Sequence, residues 1–258
     1  QPLRVPQVSM WSAESPTLYT LIIEILGSDG QPVQAERSRV GFRNVNIADA
    51  QLRINNRPIV VAGANVHEQH PTKGRCLGEE DMLADIVALK RGNFNAVRNS
   101  HYPHGYRWYE LCDEYGLYVL EECNIETHGF TLNAMMSLLA CLPWWRDQFV
   151  HRAENAFRRV RNHACVIGWS LGNESGWGPN FAAMASFLRS ADTQNRPVQY
   201  EGGCENGDAV LTMGNGQTKD SEVVCPMYPW PEETARLCEI QQDRPVILCE
   251  YGHALGNA

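Results

Sequence analysis

No stretch of the sequence approaches about 18 consecutive apolar residues, so no segment has the make-up of a membrane-spanning helix. Long tracts of Lys and Arg are also missing. With 22 basic residues against 30 acidic ones the formal net charge is −8, the wrong sign for a nucleic-acid surface. There is no low-complexity run. No GxGxxG follows the first strand of the α/β region, which counts against a dinucleotide-binding fold. The nine cysteines form no CxxC pair and are odd in number. Several fall inside strand-like or helical runs, the pattern of reduced, buried thiols rather than of a disulfide framework, and this points to a cytoplasmic setting. No signal peptide is visible. The chain starts at Gln1 and stops at Ala258 just after a motif, so it reads as a fragment of a longer protein.

What is present divides in two. Residues 1–48 read as β: Leu18 to Ile25 is a β-rich run, Gly27 to Gly30 a turn, and Arg37 to Ile47 carries further strand signal. Too few strands for a free-standing sandwich, these are expected to be the C-terminal part of a β-sandwich domain. Residues 51–258 alternate. The strands expected are an apolar run from Pro58 to Ala62, then Phe94–Val97, Leu117–Leu120, Val166–Ser170, Val198–Tyr200, Val223–Cys225 and Val246–Cys249. Helical periodicity falls between them at Glu79–Lys90, Tyr106–Tyr115, Trp144–Arg161, Phe181–Ala191 and Glu232–Ile240. Strand and helix in turn through some seven units predict an α/β fold, a (β/α)₈ barrel truncated after about seven strands.

Active sites of such barrels lie at the C-terminal ends of the strands. Those ends carry Asn65-Val66-His67-Glu68, Arg98-Asn99-Ser100-His101, Glu121-Glu122 running on to Glu126 and His128, Asn173-Glu174, Glu201, Met227-Tyr228, and Glu250-Tyr251-Gly252-His253. One polar strand end is unremarkable, and any single Glu there is as well explained by a salt bridge. Seven such ends are more than a purely structural barrel needs. Two carboxylates facing one cleft are what glycoside hydrolysis requires, one donating a proton to the leaving oxygen and one attacking the anomeric carbon or activating water. Glu174, in the stretch SLGNESGWG behind the apolar run Val166 to Trp169, is the first candidate, because burying a charge is costly unless it is paired or used.

The motifs SLGNESGWG (170–178) and ILCEYGHALGN (247–257) resemble the acid/base and nucleophile signatures of the glycoside hydrolase family that contains the large bacterial β-galactosidase. NVHEQHP, FNAVRNSHYPH, YGLYVLEECNIETHGF, RPVQYEGG and CPMY resemble further segments of that family, in its order, over essentially all of residues 51–258. WSAESPTLYTL and VGFRNV are similar to the end of the immunoglobulin-like β-sandwich domain that precedes the family's barrel. The resemblance implies a retaining β-galactosidase acting on terminal β-D-galactose of lactose-type substrates, with Glu250 as nucleophile and Glu174 as acid/base. It further implies sugar or transition-state contacts for His67, Arg98, His101, Asn173, Tyr228 and His253, with Arg98 orienting Glu250 and Tyr228 beside it.

His67-Glu68-Gln69-His70 has one residue between Glu and His where a zinc HExxH needs two, so zinc is not expected there. His70 and His104 read as core or capping residues. Glu126 and His128 lie two apart and face one side of an extended segment. With Glu174 they match the family's Mg²⁺ ligands, and the resemblance also allows Na⁺, most of whose ligands would lie outside this chain. A homo-oligomeric parent follows from the same resemblance, with no nucleic-acid or membrane partner. The loop from Gly203 to Lys219 has no clear family counterpart and could alter aglycone preference. Two alternatives stand beside this reading: β-glucuronidase or β-mannosidase activity on the same scaffold, and a sugar-binding fragment inactive through truncation. A glucuronidase would need a basic group for the sugar carboxylate, whereas the GNES and CEYGHALGN wording leans towards galactose.

Overall fold

The computed structural model describes residues 4–133, 135–202 and 220–253. The chain opens with a long antiparallel hairpin, β1 (Tyr19–Leu26) and β2 (Pro32–Val40). Ahead of it, Trp11 is fully buried, donates its indole N–H to the Asp113 carbonyl at 2.9 Å and meets Tyr118 edge to face at 5.8 Å. A three-stranded antiparallel sheet follows: β3 (Val45–Ala48), β4 (Gln51–Ile54) and the two-residue β5 (Arg57–Pro58). Its inward side chains Val45, Leu52 and Ile54 belong to the main hydrophobic core.

The barrel strands come next: β6 (Gly63–Val66), then helix α1 (Glu79–Arg91), β7 (Ala96–Asn99), α2 (Tyr106–Tyr115), β8 (Tyr118–Glu122), the short α3 (Leu138–Cys141), α4 (Arg146–Val160), β9 (Val166–Ser170), α5 (Pro179–Ala191), β10 (Val198–Gln199) and α6 (Pro231–Ile240). Strands β6 to β10 form one parallel sheet in sequence order, the arrangement of a (β/α) barrel. The helices form where the periodicity predicts them. Helix α2 ends at Gly116, whose φ of 75° supplies a left-handed cap. Helix α4 buries Phe149, Ala153, Ala156, Phe157 and Val160 along one stripe, while Trp145 sits in a preceding 3₁₀ turn.

Two expectations need correction. The run Pro58 to Ala62 is not a barrel strand: Pro58 pairs antiparallel with Arg53, Val60 is exposed, and the first barrel strand is Gly63–Val66. An apolar run alone cannot tell a buried strand from an edge facing a neighbour. The sixth and seventh strands are reduced to single parallel bridges, Val224–Val246 and Met227–Glu250, that continue the sheet beyond β10 through the Glu222 amide on the Val198 carbonyl. Pro226 and Pro245 carry no N–H, so a regular ladder cannot run through them. Between β6 and residues 245–249 lies an open cavity of about 990 Å³, bordered by Ala64, Arg98 and Ile247. The Tyr251 hydroxyl donates across it to the Gly63 carbonyl at 3.0 Å. The loop 203–219 lies outside the described residues.

Candidate active site

The strand alternation of β8 separates two adjacent carboxylates. Glu121 points outward to α2, where it accepts from the Tyr109 hydroxyl and the Asn99 amide at 2.8 Å each. Burial pushes its carboxyl up to about 8. Glu122 points into the barrel and is fully buried. It accepts from Arg98 Nε at 2.5 Å and from the Ser170 hydroxyl at 2.6 Å, and pairs with His101 Nδ1 at 2.8 Å. Burial pushes this second carboxyl up, but Arg98 and His101 outweigh it and hold it below the usual carboxylate range. The same bond directs the Nδ1 face of His101 to Glu122, leaving Nε2 for other partners.

Arg98, only 4% exposed, is the centre of the site. Besides Glu122, its guanidinium donates through Nη1 to Glu250 Oε1 at 3.2 Å and through Nη2 to Asn173 Oδ1 at 2.9 Å. Burial works against its charge, yet the carboxylates around it, Glu122 foremost, raise its pKa above the ordinary arginine value. A planar fork with five donors suits this task where a lysine would not. Glu250 is also held by the Tyr228 hydroxyl, and the Tyr228 amide donates to the Glu250 carbonyl at 2.8 Å. Tyr228 adopts a left-handed φ of 51° at this corner, with the exposed His253 ring 6.2 Å away.

Asn173 joins this half to the other. Its side-chain amide donates to Glu126 Oε2 at 2.9 Å, and its main-chain amide to the Ile125 carbonyl at 2.9 Å. Glu126 is shifted upward by burial. Glu126, His128 and Glu174 each present a ligand atom, all within 4.8 Å of one another, and His128 Nδ1 makes a short contact with Glu174 Oε2. Two carboxylates and one imidazole converging at a partly open surface form a donor set that fits a small divalent cation. A second cluster, Asp113, His163 and Cys165, is of another kind. It is buried at the N-terminal end of β9, where Asp113 accepts from the Cys165 amide at 2.7 Å and pairs with His163 at 2.6 Å. The Cys165 thiol donates to the Tyr109 carbonyl at 3.6 Å, so the cluster is bonded within the core and away from the cleft.

All ten residues singled out from the sequence lie at the strand C-terminal ends. Arg98, Asn173, Glu126, Tyr228 and Glu250 form one hydrogen-bonded network, and Glu174 and His128 adjoin it. His67 stands at the rim, its ring 5.2 Å from that of His101 and its Nδ1 3.4 Å from the Tyr102 hydroxyl. Burial first, then His101 and Arg75, lower its pKa. Three residues without an assigned role also belong: Glu122, Ser170 and Glu201. The first and last were visible as strand-end acids, but nothing in the sequence tells which partners they meet.

Fold and site together define a (β/α) barrel of the glycoside-hydrolase kind, with acids converging above a parallel sheet. Residues 45–258 match the model for the TIM barrel domain of glycosyl hydrolases family 2, and residues 1–43 match a second family 2 model. The chain belongs to glycosyl hydrolase family 2. It is 43% identical over 268 residues to a beta-galactosidase of Erwinia tasmaniensis, covering 99% of this chain and 25% of that protein. A beta-galactosidase of Photobacterium profundum is 42% identical over 271 residues, covering 100% of this chain and 25% of that protein. The chain thus spans about a quarter of the length of the curated relatives it matches. Among solved structures, apo β-glucuronidase from Ruminococcus gnavus superposes with a TM-score of 0.78 at 24% identity, covering 95% of this chain and 45% of that one. That likeness shows the shared fold.

Proposed function

We propose that this chain is the barrel portion of a retaining β-galactosidase that removes terminal β-D-galactose from lactose-type substrates. The observation that carries the two-carboxylate reading is Arg98, whose one guanidinium bonds both Glu250 and Asn173, the residue beside Glu174. The choice of galactose rests on the 42–43% identity to proteins named beta-galactosidase across this whole chain.

In the first step Glu250 attacks the anomeric carbon and the bond from that carbon to the aglycone oxygen breaks. Glu174 gives its proton to the departing oxygen. Water then attacks the same carbon, Glu174 takes the water's proton, and the bond to Glu250 breaks, returning both groups to their starting states. Arg98 and Tyr228 orient the Glu250 side chain for the attack. Asn173, His67, His101 and His253 line the cleft as sugar contacts. Glu126, His128 and Glu174 would hold Mg²⁺, which when bound supplies fixed positive charge beside the acid/base. A cytoplasmic setting agrees with the free, buried thiols of Cys112, Cys123, Cys165, Cys225 and Cys249. No described helix is long and apolar enough to cross a membrane. By family resemblance the parent is a homo-oligomer.

The test is an assay of the full-length parent on nitrophenyl β-galactoside, β-glucuronide and β-mannoside, with its Glu250→Gln variant alongside. The expected result is preference for the galactoside and loss of several orders of magnitude in the variant. Preference for the glucuronide would transfer the activity to that sibling class. Near-normal turnover by Glu250→Gln would sink the nucleophile assignment.

A further inference from the structure

The backbone around Glu174 is contorted. Gly172 has a φ of 152° and packs against the Ile125 main chain, and Gly176 has a φ of 63°. Glu174 itself adopts a φ of 40°, a left-handed conformation that is unfavourable for a residue with a side chain. Such a conformation persists where the surroundings enforce it. On one side, the Asn173 amide donates to the Ile125 carbonyl at 2.9 Å, and the Ser175 hydroxyl donates to the Asn173 carbonyl at 2.8 Å. On the other, the β9–β10 ladder ends where the Leu171 amide meets the Gln199 carbonyl at 3.1 Å. Beyond that point the chain leaves the sheet, and a side chain takes over as acceptor. The Glu174 amide donates to Glu201 Oε1 at 2.6 Å. Glu201 follows β10 and is 3% exposed.

We propose that Glu201 is a positioning residue: its carboxyl oxygen Oε1 anchors the Glu174 main chain in the left-handed conformation and so sets where the acid/base carboxyl points. The inference rests on the reading of Glu174 as acid/base. The bond is short at 2.6 Å, and a carboxyl oxygen on a buried side chain accepts it at a fixed place whatever the protonation of the other oxygen. A fold needing only an acceptor for one amide at a polar cleft edge could use water, whereas a side chain from the neighbouring strand fixes direction as well. Without the anchor, relaxation of φ towards the extended region swings Cβ, and the carboxyl with it, away from His128 and the cleft.

A mispositioned acid has a kinetic signature that general loosening of the fold lacks. Phenyl β-galactoside needs its leaving oxygen protonated, whereas dinitrophenyl β-galactoside departs as a stable anion. In the full-length parent, Glu201→Met, which keeps the volume and removes the acceptor, is expected to lower kcat/KM on the phenyl substrate at least about tenfold more than on the dinitrophenyl one. That is a fraction of the roughly 10²- to 10⁴-fold that a general acid contributes. Glu201→Gln, which keeps an acceptor oxygen, is expected to recover most of that loss. Equal loss on both substrates, no loss on either, or a Gln variant as impaired as the Met variant overturns the proposal. Should Glu201→Met not fold, Glu201→Gln decides alone, since selective loss on the phenyl substrate by that variant refutes the acceptor role and its absence sustains it. Glu174→Gln, assayed in parallel, separates the two readings: if it spares the phenyl substrate, the acid/base reading falls first. If it shows the selective loss and Glu201→Met does not, only the positioning role is lost.

Discussion

Replacing Arg98 by Met is a severe test of how the site is held together. The guanidinium is 4% exposed, and its partner Glu122 is fully buried behind it. Removing one member of such a pair strands the other charge in a medium that cannot solvate it, which costs about 3–5 kcal/mol. His101 and the Ser170 hydroxyl still reach Glu122, so the lower end of that range applies if they compensate. At about 1.36 kcal/mol per decade, the protection of amides in β7, β8 and β9 falls roughly 10²- to 10⁴-fold. Hydrogen exchange of the full-length protein, followed by mass spectrometry of peptides covering those strands, reads this directly. The pH dependence gives a second check. In the native protein Arg98 and His101 depress the Glu122 pKa, so the pair's stability is present above the unfolded carboxyl value and is lost as pH falls through the folded one. In Arg98→Met burial is unopposed by the guanidinium, the shift turns upward, and the variant loses stability as pH rises from about 4.5. The damage should therefore be worse at pH 8 than at pH 5. Adding Glu122→Leu should give back part of it, because an apolar pair of similar volume carries no stranded charge. A loss under about 1 kcal/mol, or a double variant no better than the single one, would refute the reasoning.

Glu121 predicts the opposite slope to Glu122, although the two are neighbours. Its carboxyl is pushed up to about 8, so the stability it contributes is complete below the unfolded value and is lost as pH rises through that range. Glu121→Gln should thus be relatively more stable than the parent sequence at pH 8.5 than at pH 5, as read by thermal melts, and a pH-independent difference would contradict the burial argument. For the divalent site, chelation of the parent enzyme should lower activity and added Mg²⁺ should restore it. His128→Ala should raise the Mg²⁺ concentration needed for half-restoration, and indifference to chelator would remove the site from the mechanism.

Much of the fold was legible because local rules and tertiary structure agree. Helix α2 occupies Tyr106–Tyr115 as its periodicity indicates, and its end is set by a glycine that can take positive φ. Alternation of strand and helix gave the parallel sheet, since only crossover helices connect parallel neighbours compactly. Where the two disagree, the cause is that apolar character is not burial. Pro58–Ala62 is apolar enough for a strand, yet only Pro58 pairs, at the edge of a small antiparallel sheet, and Val60 faces outward while Ile59 and Val61 pack against the core.

The site divides in the same way. Residue types and their places at strand ends follow from sequence, because a parallel barrel puts those ends on one face whatever its details, and so Glu174, Glu250, Arg98 and Asn173 could be named together. Which of two adjacent acids enters the cleft could not. Strand alternation says that Glu121 and Glu122 face opposite ways, but only the packing of β8 between β7 and β9 sends Glu122 to Arg98 and Glu121 to Tyr109. Glu201 shows the same limit more sharply. Its bond to Glu174 crosses 27 positions and ends on a main-chain amide, a partner without residue identity. Chemistry carried by side chains can be read from a sequence, whereas the direction in which a side chain is held is a property of the assembled backbone.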